Sequence, residues 1–270
     1  MRLRRLLPAA GALLLVLGSL APSAVSPVRA AEYTMETVAG YVVRPDAGLI
    51  DVTVGITFTN TTPDPEGQFS VFDEVRIAVH DEGADVAAED DEGALDVAVA
   101  VEDGVNVATI ALREDLRFEE SAELTVTWTL ADSEDPQLRV RPSVVVFPAW
   151  GFGTVSEVRV EIPAAYEVRV DGDLLSEEGD ALTSGPIEDP SRWLALVTAV
   201  RPIEYVDIDA NVPLAGGTAD LRVRAFADDE AWGERISALL VEALPLIEEE
   251  VGLPYPRIGQ LTVSETVATG

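Results

Sequence analysis

Between Gly40 and Leu130 apolar and polar residues alternate with a period of two. Ile50, Val52, Val54, Ile56 and Phe58 fall on one side of such a segment, with Asp51, Thr53, Thr57 and Thr59 on the other. Successive side chains of a strand point to opposite faces, so this is the pattern of a half-buried β-strand. Val75, Ile77 and Val79 repeat it, as do Leu95, Val97, Val99 and Val101, and then Leu124, Val126, Trp128 and Leu130 opposite Glu123, Thr125, Thr127 and Thr129. Val105 and Val107 come directly after Asp103-Gly104, a dipeptide suited to a tight hairpin turn. Five or more short strands separated by turn signals predict a mainly β fold, an antiparallel sandwich or saddle.

The polar stretch Ala131 to Gln137 interrupts the alternation, and Pro142 and Pro148 punctuate the residues beyond it. It reads as a connection within one β-module or between two, with the break near 131–143. Alternation resumes at Val158, Val160 and Ile162 and at Tyr166, Val168 and Val170. Further strands are expected at Trp193 to Val200, Ile203 to Ala210 and Leu221 to Phe226. No fixed-period repeat is present, which argues against a propeller or solenoid.

At Asp228 the period changes. Trp232, Ile236, Leu239, Leu240, Ala243, Leu244, Ile247 and Val251 keep helical spacing, behind the acids Asp228, Asp229 and Glu230, which suit a helix N-terminus. Gly252 is placed to cap the C-terminus and Pro254 to stop continuation. Pro245 falls inside, where it removes one backbone donor and is expected to kink the helix. A last strand is expected from Gln260 to Ser264.

Composition narrows the function. The 270 residues hold 18 cationic side chains, all arginine, against 49 Asp and Glu. The N-terminus places Arg2, Arg4 and Arg5 before an apolar run from Leu6 to about Leu20, and Val28-Arg29-Ala30 presents small residues to a signal peptidase, so the chain reads as exported, with cleavage after Ala30, to the cell envelope or outside. Four arginines and no acids precede Ala31, so 14 arginines then face 49 acids, a formal charge of −35. Phosphates and anionic membrane surfaces repel such a chain, which excludes a general nucleic-acid binder. The absence of cysteine removes disulfides, thiol nucleophiles and thiolate metal sites, and a single histidine removes any site that needs two imidazoles.

Individual candidates are few. His80 has the polar phase of the strand that carries Val75, Ile77 and Val79, which predicts an exposed, inert side chain. No serine lies in a Gly-x-Ser-x-Gly elbow, so a Ser–His–Asp triad has no motif behind it. Carboxylates are too abundant for any pair to stand out as glycosidic acid and base. Asp81-Glu82-Gly83, Glu89 to Glu92 and Asp171-Gly172-Asp173 offer oxygens at strand ends, but none has the spacing of an EF-hand loop, and hairpin loops are the simpler reading. Asn60-Thr61-Thr62 has the form of a glycosylation sequon and reads as a turn.

The C-terminal segment is the most specific. A long helix leads into Gly252-Leu253-Pro254-Tyr255-Pro256 and then a strand, Leu261-Thr262-Val263-Ser264-Glu265. This resembles the entry to the catalytic domain of M1-family, gluzincin-type zinc aminopeptidases. There, a helix, a Gly-x-Pro-Tyr-Pro turn and a strand lead to a Gly-x-Met-Glu-Asn substrate loop. The upstream alternation, with Gly40-Tyr41-Val42-Val43 and the long strand from Leu49 to Asn60, is similar to the β-domain that precedes the zinc domain in that family.

The resemblance implies 31–220 as a β-rich domain and 221–270 as the incomplete start of an α+β domain of catalytic type. It implies a downstream catalytic domain as partner, peptide substrates reached only through it, and zinc only in a full-length relative. No His-Glu-x-x-His occurs, so no catalytic or metal residue of that family maps onto this chain. Glu265 alone is a candidate for approaching a substrate cleft. The chain therefore reads as the secreted, non-catalytic N-terminal portion of such a peptidase. The alternative is a secreted acidic β-sandwich that binds a cell-surface glycan or protein, or, less well supported, a calcium-dependent surface module.

Overall fold

The structure, a computed structural model, describes residues 33–64, 66–67, 69–201, 204–254 and 259–266. The expected signal segment, Ile203 and the Tyr255-Pro256 part of the turn lie outside them.

The alternating segments form strands, arranged in three sheets around one core. The first eight are β1 (Tyr33–Arg44), β2 (Leu49–Asn60), β3 (Phe72–Val79), β4 (Ala84–Asp90), β5 (Gly93–Leu95), β6 (Val97–Glu102), β7 (Val105–Leu116) and β8 (Ser121–Ala131). After the 131–143 break come β9 (Arg139–Val140), β10 (Val144–Trp150), β11 (Val155–Glu161), β12 (Glu167–Gly172), β13 (Ser176–Glu178), β14 (Ala181–Thr183) and β15 (Leu194–Val200). An eight-stranded sheet has the order β13-β14-β11-β1-β2-β8-β4-β5, and two smaller sheets, β3-β7-β6 and β12-β15-β10-β9, supply the opposing layer. Tyr41, Val52, Val126 and Trp128 of the large sheet bury their side chains in the same core as Ile77 and Ile110 of one small sheet and Phe147 and Val197 of the other.

Both sides of the 131–143 segment thus share one core. The fold is mainly β, as the alternation predicts, although the pairing is not antiparallel throughout. β1 runs parallel to β11, from Glu36 opposite Val155 to Val42 opposite Glu161.

Two strands depart from the sequence pattern. β10 forms in a stretch that its prolines mark as a connection. The carbonyl of Pro148 accepts from His80, not from β15. A residue's N and C=O point the same way in an antiparallel ladder, so the missing N–H of Pro148 also faces away from β15, and β9 pairs only with Val145 and Val146. The proline therefore costs the sheet no hydrogen bond. In β6, Val99 and Val101 have the buried phase yet are 47% and 71% exposed.

A smaller unit comes next: β16 (Tyr205–Leu214), β17 (Gly217–Phe226), α1 (Glu230–Val251) and β18 (Leu261–Ser264), with sheet order β16-β17-β18. Residues 220–221, expected as a domain boundary, lie within β17. α1 is preceded by its N-cap Asp229, runs through Pro245 without interruption and is closed by the C-cap Gly252, whose left-handed conformation (φ 67°) lets its N–H donate to the Glu248 carbonyl at 3.0 Å. Trp232, Ile236, Leu240 and Leu244 pack on Val212, Leu221 and Val223. Gly233 sets the approach distance, since a Cβ there would lie 2.6 Å from Ile208 Cδ1 and 2.7 Å from Ala225 Cβ. Leu239 and Leu246, on the other side of the helix, and Ile247 and Val251, at the C-terminal end of the packed side, are more than half exposed.

Candidate functional site

Glu265 belongs to a charged junction where the smaller unit meets the loop around β9. Its N–H donates to the Arg224 carbonyl at 2.8 Å, and its Oε2 accepts from the Phe226 N–H at 2.8 Å. Partial burial raises its pKa above the usual carboxylate range, opposed by the Phe226 N–H and by the charge of Arg141. Next to it, Asp228 accepts from the Ser143 N–H at 2.8 Å and from the Ser143 hydroxyl at 2.7 Å. Asp229, the buried helix-capping position, accepts the Trp232 N–H through its backbone carbonyl, while its side chain makes no cap bond and instead pairs with the Arg141 guanidinium, with Arg139 Nη2 3.9 Å away. Asp132 holds the two arginines from the other side, at 3.3 Å from Arg139 Nε and 3.1 Å from Arg141 Nε.

Chemically this is a latch. It fastens the start of α1 to the loop after β9, while Glu265 ties the end of β18 to β17, and its one hydroxyl, on Ser143, faces a carboxylate with no imidazole beside it. Pairs such as Ser143–Asp228 and Arg141–Asp229 join residues 85 and 88 positions apart, so no local motif announces them.

The histidine sits elsewhere, and the expectation that it is exposed is overturned. His80 is 2% exposed. The strand ends at Val79, and the chain turns with the Gly83 N–H donating to the His80 carbonyl at 2.8 Å, so the alternating phase no longer governs residue 80. Gly83 permits the turn, because a Cβ there would meet Val79 Cγ1 at 2.7 Å and the His80 carbonyl oxygen at 2.9 Å. The ring stacks on Trp150 (3.8 Å between centroids, 11° between planes) and meets Tyr41 edge-on. Trp128 Nε1–H, which can only donate, points at Nδ1 at 3.3 Å, so Nδ1 is the unprotonated nitrogen and Nε2–H donates to the Pro148 carbonyl at 3.0 Å. Burial pushes the pKa down to about 4. Both nitrogens are committed, which leaves neither a base nor a metal ligand. The Trp150 N–H donates to the Tyr41 hydroxyl at 2.9 Å, closing the network, and burial drives the Tyr41 pKa far above its ordinary value.

The acidic loops are used locally. Asp90 takes the Glu92 N–H and the Arg113 guanidinium, which lowers its pKa, and Asp173 accepts from the Leu194 N–H. Asn60 is buried, donates to the Ser70 and Leu116 carbonyls and accepts from the Thr62 N–H, the turn its sequence suggests. Among the described residues no group of three or more His, Cys, Asp or Glu is arranged to hold a metal ion. A recess of about 870 Å³ on the outer face of the large sheet is lined by Glu36, Thr57, Asp91 and Glu123 among others, and Glu265 is not part of it.

The chain is thus a mainly β sandwich carrying a small sheet with one helix, without an assembled catalytic constellation among the described residues. Solved structures similar to it include an M1 zinc metallopeptidase from Deinococcus radiodurans, at 15% identity and a TM-score of 0.37, covering 89% of this chain and 58% of that one. Another is an aminopeptidase N family protein from Idiomarina loihiensis, at 10% identity and a TM-score of 0.44, covering 84% of this chain and 38% of that one. The chain spans about half the length or less of these structures. No family model and no curated protein sequence matches it.

Proposed function

We propose that the chain is the exported, non-catalytic N-terminal portion of an M1-like zinc metallopeptidase, joined to the first helix and strand of the domain that carries the chemistry. The observation behind this reading is α1 itself. One side of the helix is seated on β16 and β17, while Leu239 and Leu246 on its other side, and Ile247 and Val251 at the C-terminal end of the seated side, are apolar surface that the described residues leave open. Covering one such side chain is worth about 1.5–3 kcal/mol, so a helix of this kind calls for a second layer. A downstream domain packed there would supply it, with the Asp229–Arg141 latch holding α1 at a fixed angle to the β-sandwich.

The residues present do not fit zinc. The one imidazole is buried with both nitrogens bonded, and no cysteine exists. The chain's contribution to peptide hydrolysis is therefore scaffolding and shaping of a cleft, with Glu265 at its edge, and the zinc and its general base belong to the further domain. Reading the gene beyond the codon for Gly270 tests this. An open frame that continues into His-Glu-x-x-His supports it, and a stop codon with unrelated sequence after it removes it.

A further inference from the structure

We propose that β6 is a docking edge for an extended polypeptide strand of another protein, one with alternating β-branched residues flanked by cationic ones.

β6 lies at the edge of the sheet β3-β7-β6 and pairs only with β7, Val97 opposite Ile110 through Glu102 opposite Val105. Asp96, which lies opposite Ala111 by extension of that register, accepts the Ala111 N–H at 3.0 Å. Hydrogen-bonded positions alternate in an antiparallel ladder, so Ala98, Ala100 and Glu102 bond to β7, and the N–H and C=O groups of Val97, Val99 and Val101 point outward. Among the described residues nothing pairs with them.

The side chains of the same three valines share a face with Ile110 and Ala108, which are fully buried. Along β6 that face runs from Val97, packed against the core, to Val99 and Val101, which are open. An added strand would satisfy three N–H and three C=O groups and at the same time extend the apolar face.

Other edges of the fold carry the usual protection against such pairing. β3 has Asp73, Glu74 and Arg76, β12 has Glu167, Arg169 and Asp171, β16 has Asp207, Asp209 and Pro213, and the remaining edge strands β5, β9, β13 and β18 are only two to four residues long. β6 reads Val-Ala-Val-Ala-Val before its first charge, with neither proline nor cation.

Charge selects the occupant. Two copies paired edge to edge through the outward groups, with Val99 opposite Val99, set Asp96 against Glu102 at both ends, which is unfavourable between chains that are already strongly acidic. A foreign strand with an arginine or lysine opposite each of those acids turns both repulsions into attractions. The matching sequence is cation, three β-branched residues at alternate positions, cation.

The probe is the acetylated, amidated peptide Arg-Val-Thr-Val-Thr-Val-Arg, N-methylated at its two threonines so that it cannot stack on itself. A control carries the N-methyl groups on the valines, whose amides would face β6. Binding is measured by fluorescence anisotropy, and amide exchange of the complex locates it. The threonine-methylated peptide should bind and slow exchange at Val97, Val99 and Val101, and the control should bind at least about tenfold more weakly, the loss expected for one or two backbone hydrogen bonds. Val99→Pro removes one outward N–H without touching the β7 ladder and should weaken binding about as much, and Val101→Lys, at an exposed position, should do so through charge. Equal binding of both peptides, unchanged affinity in both variants, or protection elsewhere would overturn the proposal. So would a dimer in sedimentation that Val99→Pro abolishes, because the edge would then serve a second copy.

Discussion

Acidification should loosen the sandwich through His80, and by an amount the structure sets. In the folded chain the ring is neutral, committed at both nitrogens and held to a pKa of about 4, against an ordinary value of 6.5. The unfolded chain binds the proton first as pH falls, so the stability that a neutral His80 confers is fully present above about pH 6.5. It is lost progressively as pH drops toward 4. At about 1.36 kcal/mol per pKa unit the whole effect is about 3 kcal/mol, of which about 2 is gone by pH 5. The carboxylates titrate as well, so the assay is a difference. Urea midpoints of the wild type and of His80→Gln are compared from pH 7.5 to 4.5, monitored through tryptophan fluorescence, and the gap between the curves should narrow by about 2 kcal/mol on acidification. Parallel curves would rule out a buried neutral imidazole as the source of the loss, as would an NMR titration of the folded protein that places His80 near 6.5.

Gly233→Ala should destabilise α1 against its sheet by about 1–3 kcal/mol, because the new methyl meets Ile208 and Ala225, and thermal unfolding measures it. Asp229→Asn should free the start of α1, with faster amide exchange over its first two turns and little change in the sandwich strands; unchanged exchange would mean that the Arg141 pair does not hold the junction. Purified chain should hydrolyse no aminoacyl anilide with or without added zinc, and retained stoichiometric zinc with turnover would contradict that. Protein recovered from envelope or medium should begin at Ala31 on N-terminal sequencing, and intact Met1 found only in the cytosol would count against export.

The large sheet could be read from the sequence because a long strand with one wet face repeats its parity many times, as from Ile50 to Phe58 and from Leu124 to Leu130. α1 and its glycine stop were readable for the same reason, through a different period. Parity failed where a strand ended. It carried His80 outward one residue past Val79, although the adjoining Asp81-Glu82-Gly83 turn draws the ring into the core. It also failed at Pro148, where a tertiary donor, His80, makes a proline acceptable in a strand, and at Val99 and Val101, where the core stops before the pattern does. Glu265 entered the sequence reading only by family resemblance. Its neighbours Arg141 and Ser143 have no sequence signal, and Asp228 has one only as an acid at a helix start, because the chain returns to that point only after the last strands are laid down.

The parallel contact of β1 with β11 fixes an order of events. The first described strand lies inside the large sheet, between β2 and β11, and the Thr37 hydroxyl donates to Ser156 Oγ 119 residues further on at 2.8 Å. β1 and β2 can close as a hairpin early, yet one side of β1 stays bare until residue 161 is available. Contacts of such long sequence separation slow folding, so this chain should spend a long interval as a partly built sheet. Any truncation before β11 would leave β1 as a twelve-residue open edge, prone to capture by a neighbouring chain.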